Sequence, residues 1–135
     1  MNTLSHQGPA LRALIVDDEG HIRFFLRTLL GLAGFEVAGE GANGNDAVRL
    51  YQELKPDVVL MDVNMPFKNG DEALGEILAM NPAAQVIMLT SVADAATVRA
   101  CIERGAACYI RKDAVVEEIE AALGRVHRTI MMRRV

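Results

Sequence analysis

The stretch VVLMDVNMP, residues 58–66, decides how the rest of the chain is read. Val58 to Met61 form an unbroken apolar run, too short for a helix and without the alternation of a half-exposed strand. That pattern suits a strand buried on both faces of a parallel sheet. The run ends on an acid, Asp62, and the segment then turns at Pro66.

Four further runs of similar size lie on either side: Arg12–Val16, Phe35–Glu40, Gln85–Leu89 and Cys108–Ile110. Between them the apolar residues take helical spacing. Ile22, Phe25, Leu26, Leu29 and Leu30 share one face of a first helix that Gly31 or Gly34 ends. Asp46 to Leu54 places Ala47, Val48, Leu50, Tyr51 and Leu54 on a second, closed by Pro56. Asp71 to Met80 is a third, stopped by Asn81-Pro82, and Ala93 to Arg104 a fourth, capped by Gly105. Val115 to about Arg128 is the fifth, with Val116, Ile119, Ala122, Leu123 and Val126 inward. Five strand–helix repeats predict an α/β, doubly wound fold around a parallel sheet with right-handed connections. Periodicity alone leaves the strand order open.

The bulk composition is consistent with one such unit. A chain of 135 residues, 51% hydrophobic, is the size of a single packed domain. We expect a flexible segment over 1–10, the domain over 11–128, and a helical extension or tail over 129–135. The net charge of −4 supplies no broad basic surface for direct contact with nucleic acid. No apolar run approaches the ~20 residues of a membrane span. Residues 1–10 are polar and lack the layout of an export signal, and Cys101 and Cys108 have no metal-ligand spacing. A cytoplasmic protein is expected.

In open α/β sheets, ligands bind where the strands' carboxyl ends meet. Asp17, Asp18 and Glu19 follow the first strand, Asp62 the third, Thr90 and Ser91 the fourth, and Arg111 and Lys112 the fifth. Three neighbouring aspartates cannot all stay ionised without a cation. Oxygen ligands in an open, hydrated site favour Mg²⁺. An ammonium and a hydroxyl beside them suit a transferring phosphoryl group. This chemistry leaves open whether Asp62 is a nucleophile or only a ligand. Taken singly, each residue also has a plainer reading. Asp17-Asp18 would cap a helix, Asp62 would start a turn, Thr90 and Ser91 would cap the next helix, Lys112 would be solvated and Tyr109 would be core.

Taken together, LIVDDE, VVLMDVNMP with Gly70, VIMLTS and CYIRKD resemble the bacterial response-regulator receiver family over about Arg12 to Arg128, in the form of a stand-alone, chemotaxis-regulator-like member. The resemblance implies a flavodoxin-like sheet of order 2-1-3-4-5 with five helices. It implies that Asp62 is the phosphoacceptor in two-component signalling, taking its phosphoryl group from a sensor histidine kinase or a histidine phosphotransfer protein. Mg²⁺ would be held by Asp17, Asp18, Asp62 and the backbone carbonyl of Asn64. Lys112 and Thr90 would contact the phosphoryl oxygens, and Thr90 with Tyr109 would form a two-state switch. The domain would catalyse its own phosphorylation and dephosphorylation without being an enzyme in the usual sense. Asn64 and Val92 match the positions that tune hydrolysis of the phosphate.

Output is expected on the surface of the fourth helix, fifth strand and fifth helix, where Arg99 and Glu103 lie. A downstream protein or a second copy of the chain would bind there, with Met131-Met132 extending such a contact. Motor control, a phosphorelay step and a transcription factor's receiver remain equal alternatives, as do a natural stand-alone domain and a fragment.

Lys112-Asp113 departs from the Lys-Pro of many relatives. A cis bond there would cost about 3 kcal/mol without proline, so the loop is trans or strained. A Mg²⁺-dependent phosphatase with an aspartate nucleophile is the alternative from the enzyme class. Such hydrolases carry an acid two residues after the nucleophile, where this chain has Asn64.

Overall fold

The computed structural model describes residues 10–91 and 95–134. Its elements follow the order β1 (Leu11–Val16), α1 (Gly20–Leu32), β2 (Phe35–Gly41), α2 (Gly44–Leu54), β3 (Val58–Asp62), α3 (Gly70–Met80), β4 (Gln85–Thr90), α4 (Ala95–Arg104), β5 (Cys108–Arg111) and α5 (Val116–Arg133). The five strands form one sheet in the order β2-β1-β3-β4-β5, every neighbouring pair parallel. The flavodoxin-like order implied by the resemblance is the order observed.

β3 is buried along its whole length, and β1 and β4 nearly so. Each has helices on both sides. Ala13, Ile15 and Leu60 pack with Leu26, Leu29 and Leu30 of α1 and Ile119, Leu123 and Val126 of α5. Leu14, Val16, Val59 and Met61 pack with Ala47 and Tyr51 of α2, Leu74 and Ile77 of α3 and Cys101 of α4. Alternate residues of one strand thus feed opposite halves of the core. Each buried Leu or Ile contributes about 1.5–3 kcal/mol, which is what holds short amphipathic helices on the sheet.

β2 is bulged where it meets β1. Ala13 is opposite Val37 and Leu14 is opposite Gly39, so Ala38 has no partner.

The last helix differs from its expected extent. Val115 is its N-cap and Val116 its first residue, both exposed rather than inward. At the other end the inner stripe continues past Val126 to Ile130, and the helix runs to Arg133 with Met131 and Met132 on its exposed side. The terminal arginines reach back to the amino-end rim of the sheet. Arg134 Nη2 is 2.7 Å from Asp57 Oδ1 and Arg133 Nη1 donates to the Ala83 carbonyl at 3.2 Å. Asp57 Oδ2 also accepts the Arg12 N–H at 2.7 Å, which ties the start of β3 to β1. The expected helix start at Ala93 and the tuning position Val92 lie outside the described residues, as does most of the 1–10 segment.

Candidate phosphoryl-transfer site

The carboxyl ends of β1, β3, β4 and β5 bring Asp17, Asp62, Thr90 and Lys112 to one rim. Asp17, Asp62 and Thr90 are buried, and these are the buried polar residues among those described. Asp18 is exposed. One carboxylate oxygen from each of Asp17, Asp18 and Asp62 lies within 4.8 Å of the others.

Asp17 is fixed from several directions. Its N–H donates to the Gly41 carbonyl at 3.0 Å, and its Oδ1 accepts the Glu19 N–H at 2.9 Å. Its carbonyl accepts Arg23 Nη1 at 2.7 Å. Arg23 in turn bonds Glu40 on β2 through Nε at 3.1 Å, and Arg27 pairs with the same glutamate. The remaining oxygen, Asp17 Oδ2, is 2.7 Å from Lys112 Nζ, but the pair lacks hydrogen-bond alignment and Oδ2 is a buried acceptor with no aligned donor. A buried carboxylate oxygen in that condition is costly unless something else satisfies it. Asp17 is a member of the acid cluster, so a cation bound among these carboxylates would provide that satisfaction.

Lys112 is the shared counter-ion. Its ammonium, 9% exposed, is 3.1 Å from Asp62 Oδ2 and 3.1 Å from Glu19 Oε1. Burial works against its charge, but its contacts with the carboxylates of Asp17, Asp62 and Glu19 and the charge of Asp62 outweigh it, holding the lysine above its ordinary pKa. Asp62 moves the other way from a normal carboxylate. Burial raises its pKa to about 6, against the lowering effect of Lys112 and with a further push from Asp17. One ammonium is too little positive charge for this many acids.

The loop after Asp62 is tightly held. The Val63 N–H continues the ladder to the Leu89 carbonyl at 3.0 Å, and the Gly70 N–H returns to the Val63 carbonyl at 2.8 Å. A Cβ at Gly70 would sit 2.0 Å from the Asp62 carbonyl oxygen, so the close approach of α3 to the site requires glycine. Between these anchors Lys68 N–H bonds the Pro66 carbonyl at 2.8 Å across Phe67, whose φ is 68°. This is a γ-turn of the rarer, strained kind, with the Phe67 ring exposed to water.

Several plainer readings of single residues do not hold. Glu19, not Asp17 or Asp18, is the N-cap of α1, and it makes no side-chain capping bond. Lys112 is not solvated surface, and Tyr109 is half-exposed rather than core. Asn64 is exposed, with its N–H 3.3 Å from Asp62 Oδ1. No described peptide bond is cis, so Lys112-Asp113 is trans. Arg111 grips Asp113 through Nε and Nη2, both at 2.9 Å, and that bond holds the Asp113 carboxyl below its usual pKa.

Two partners in the site carry no mark of their role in the sequence. Glu19 stands on the rim, but its bond to Lys112 joins residues 93 apart. Arg23 lies on the polar side of α1, where nothing in the spacing marks it as a support for Asp17.

Among the described residues no helix is long and apolar enough to cross a membrane. The family model for the response regulator receiver domain matches residues 13–124. The chain is 41% identical over 117 residues to the chemotaxis protein CheY of Thermotoga maritima, covering 87% of this chain and 98% of that one. It is 42% identical over 115 residues to protein CcdB of Bacillus subtilis, covering 85% and 96%. Among solved structures, the CheX–CheY–BeF₃–Mg²⁺ complex from Borrelia burgdorferi matches with a TM-score of 0.82 at 27% identity, covering 87% of this chain and 89% of that one. With fold, rim and family model in agreement, the chain belongs to the response regulator receiver domains of two-component signalling, and is CheY-like among them.

Proposed function

We propose that this receiver accepts a phosphoryl group on Asp62 with the help of Mg²⁺ and uses it to change protein contacts. The observation that carries the reading is the meeting of Asp62 with Asp17, Asp18 and Lys112 at one rim. The orphaned Asp17 Oδ2 and the three close carboxylates fit a hard divalent cation with oxygen ligands. Asp17, Asp18, Asp62 and the Asn64 carbonyl would hold it, and when bound it would neutralise charge on the phosphoryl oxygens. The solved Borrelia burgdorferi relative contains both Mg²⁺ and a beryllofluoride group, which supports the assignment.

In the forward step an Asp62 carboxylate oxygen forms the new P–O bond as the donor's P–N bond breaks. The donor imidazole leaves with a proton from solvent. The donor is a sensor histidine kinase or a histidine phosphotransfer protein, and a small phosphodonor can replace it. Lys112 supplies the fixed positive charge beside the transferring group. Hydrolysis later returns inorganic phosphate and free Asp62, at a rate tuned at the positions of Asn64 and Val92. Thr90 bonds a phosphoryl oxygen, and Tyr109 turns inward from its half-exposed position. The change is read on α4, β5 and α5 by a downstream protein or a second copy. The working unit is residues 11–128, the end of α5 being an extension of it.

Incubation with acetyl phosphate and Mg²⁺, followed by intact-mass measurement, tests the reading. One added phosphoryl group is expected, lost on hydroxylamine treatment and absent in Asp62→Asn. No added mass, or an addition that persists in Asp62→Asn, would overturn it.

A further inference from the structure

Three carboxylates crowd the Lys112 ammonium: it donates to Asp62 and to Glu19, each at 3.1 Å, and its remaining side lies against Asp17 Oδ2 at 2.7 Å without hydrogen-bond alignment. A phosphoryl oxygen, itself anionic, gains an aligned bond to that crowded ammonium by displacing one of the carboxylates that hold it. Asp17 and Asp62 are buried and belong to the acid cluster, so neither is free to leave. Glu19 is outside that cluster and its side chain is 47% exposed.

A second observation points the same way. Glu19 is the N-cap of α1, yet its side chain makes no bond to the helix end. It turns to the lysine instead. Its own N–H is held by Asp17 Oδ1, so the backbone stays in place when the side chain moves. Among the described residues His21 also stands near its carboxylate, with Nε2 3.9 Å from Oε2. The bond and charge of Lys112 hold the Glu19 carboxyl below its ordinary pKa.

We propose that Glu19 is a positioning residue that holds Lys112 in the resting site and gives way to the incoming phosphoryl group. It acts as an anionic placeholder: it keeps the ammonium aimed at the site, and it imposes an electrostatic threshold on every anionic donor. This rests on the phosphoacceptor reading of Asp62 above. Arrival of a phosphoryl group exchanges one anion on Lys112 for another. The released Glu19 carboxylate then goes to water, where half of it already lies.

The test compares Glu19→Gln and Glu19→Asp with the wild type, using acetyl phosphate and the less negatively charged phosphoramidate in saturating Mg²⁺. Glutamine keeps the length but removes the charge; aspartate keeps the charge but falls short of Lys112. At low salt Glu19→Gln is expected to raise the second-order rate constant with acetyl phosphate about three- to tenfold, and less with phosphoramidate. Near 1 M salt, where the screening length is about 3 Å, the gain is expected to fall below about twofold. Glu19→Asp is expected to show a smaller gain. Beryllofluoride binding with Mg²⁺, followed by ¹⁹F NMR, gives a readout free of turnover and is expected to tighten in Glu19→Gln by a similar factor.

Loss of a purely structural contact would change neither the salt dependence nor the ranking of donors. Unchanged or slower phosphorylation and unchanged beryllofluoride binding in Glu19→Gln, with the wild type fully active, would overturn the placeholder role alone. A wild type that takes up neither acetyl phosphate nor beryllofluoride would overturn the phosphoacceptor reading and this inference with it.

Discussion

The two rims of the sheet each carry carboxylates, and they treat them in opposite ways. At the amino-end rim, Asp57 has both oxygens matched: one to the Arg12 N–H, the other to Arg134. Its own N–H closes the loop on the Arg12 carbonyl at 2.7 Å. At the carboxyl-end rim, Asp17, Asp62 and Glu19 share one lysine, and a buried oxygen of Asp17 has no aligned donor. A closed set of partners makes structure. An under-compensated set stores a preference for whatever cation or phosphoryl group completes it.

The contrast can be broken most severely at Gly70. Gly70→Ala puts a methyl against the Asp62 carbonyl, with backbone on both sides of the clash. We expect a loss of about 2–4 kcal/mol in chemical denaturation, with phosphorylation of the folded fraction slowed. Stability close to wild type would show that this rim is looser than its geometry.

A smaller effect of opposite sign is expected at Asp62 in metal-free protein. Its pKa is near 6 in the folded chain and near 4 when unfolded. Between those values the native state binds more protons, so stability falls as pH rises from about 4 to about 6 and is level above. Asp62→Asn removes that term. The variant is expected to match the wild type near pH 4 and to exceed it by about 1–2 kcal/mol above pH 6.5. Mg²⁺ is expected to narrow that gap. A constant difference across this pH range would show that charge crowding at the rim is not the cause.

The smallest effects are expected at the amino-end rim. Arg134→Ala removes a partly exposed ion pair and should cost less than about 1 kcal/mol. Asp57→Ala also loses the bond to the Arg12 N–H and should cost about 1–2 kcal/mol. Neither should change the phosphorylation rate. A rate change in Arg134→Ala would mean that the two rims communicate through α5.

Most of the carboxyl-end rim is legible in the sequence because each strand's continuous apolar run ends on the residue that matters. Asp62 after VVLM and Lys112 after the short fifth run are found this way. The order of strands is not legible from periodicity; it came from the resemblance. What escapes is pairing across the chain. Arg23 supports Asp17 through a carbonyl, and a carbonyl acceptor leaves no mark on residue type. Glu19 shows only as one more acid, because its partner is brought near by folding alone. Whether 129–135 extends α5 or forms a tail is open in the sequence for a related reason. The last turn of the helix is secured by Ile130 on the core and by arginines that find Ala83 and Asp57 across the fold. Strand position alone would put Tyr109 in the core, yet β5 is the last strand of the sheet and leaves that side chain half-exposed.

That position of β5 has a counterpart in the bulge of β2. These two strands are the sheet's edges, where open backbone groups invite another chain to add a strand. β5 has only four residues, and β2 is kinked at Ala38 and carries the exposed acids Glu36 and Glu40. Both edges are poor templates for strand addition. Strand edges of this kind guard a domain against aggregation and leave most of its open surface to the helices.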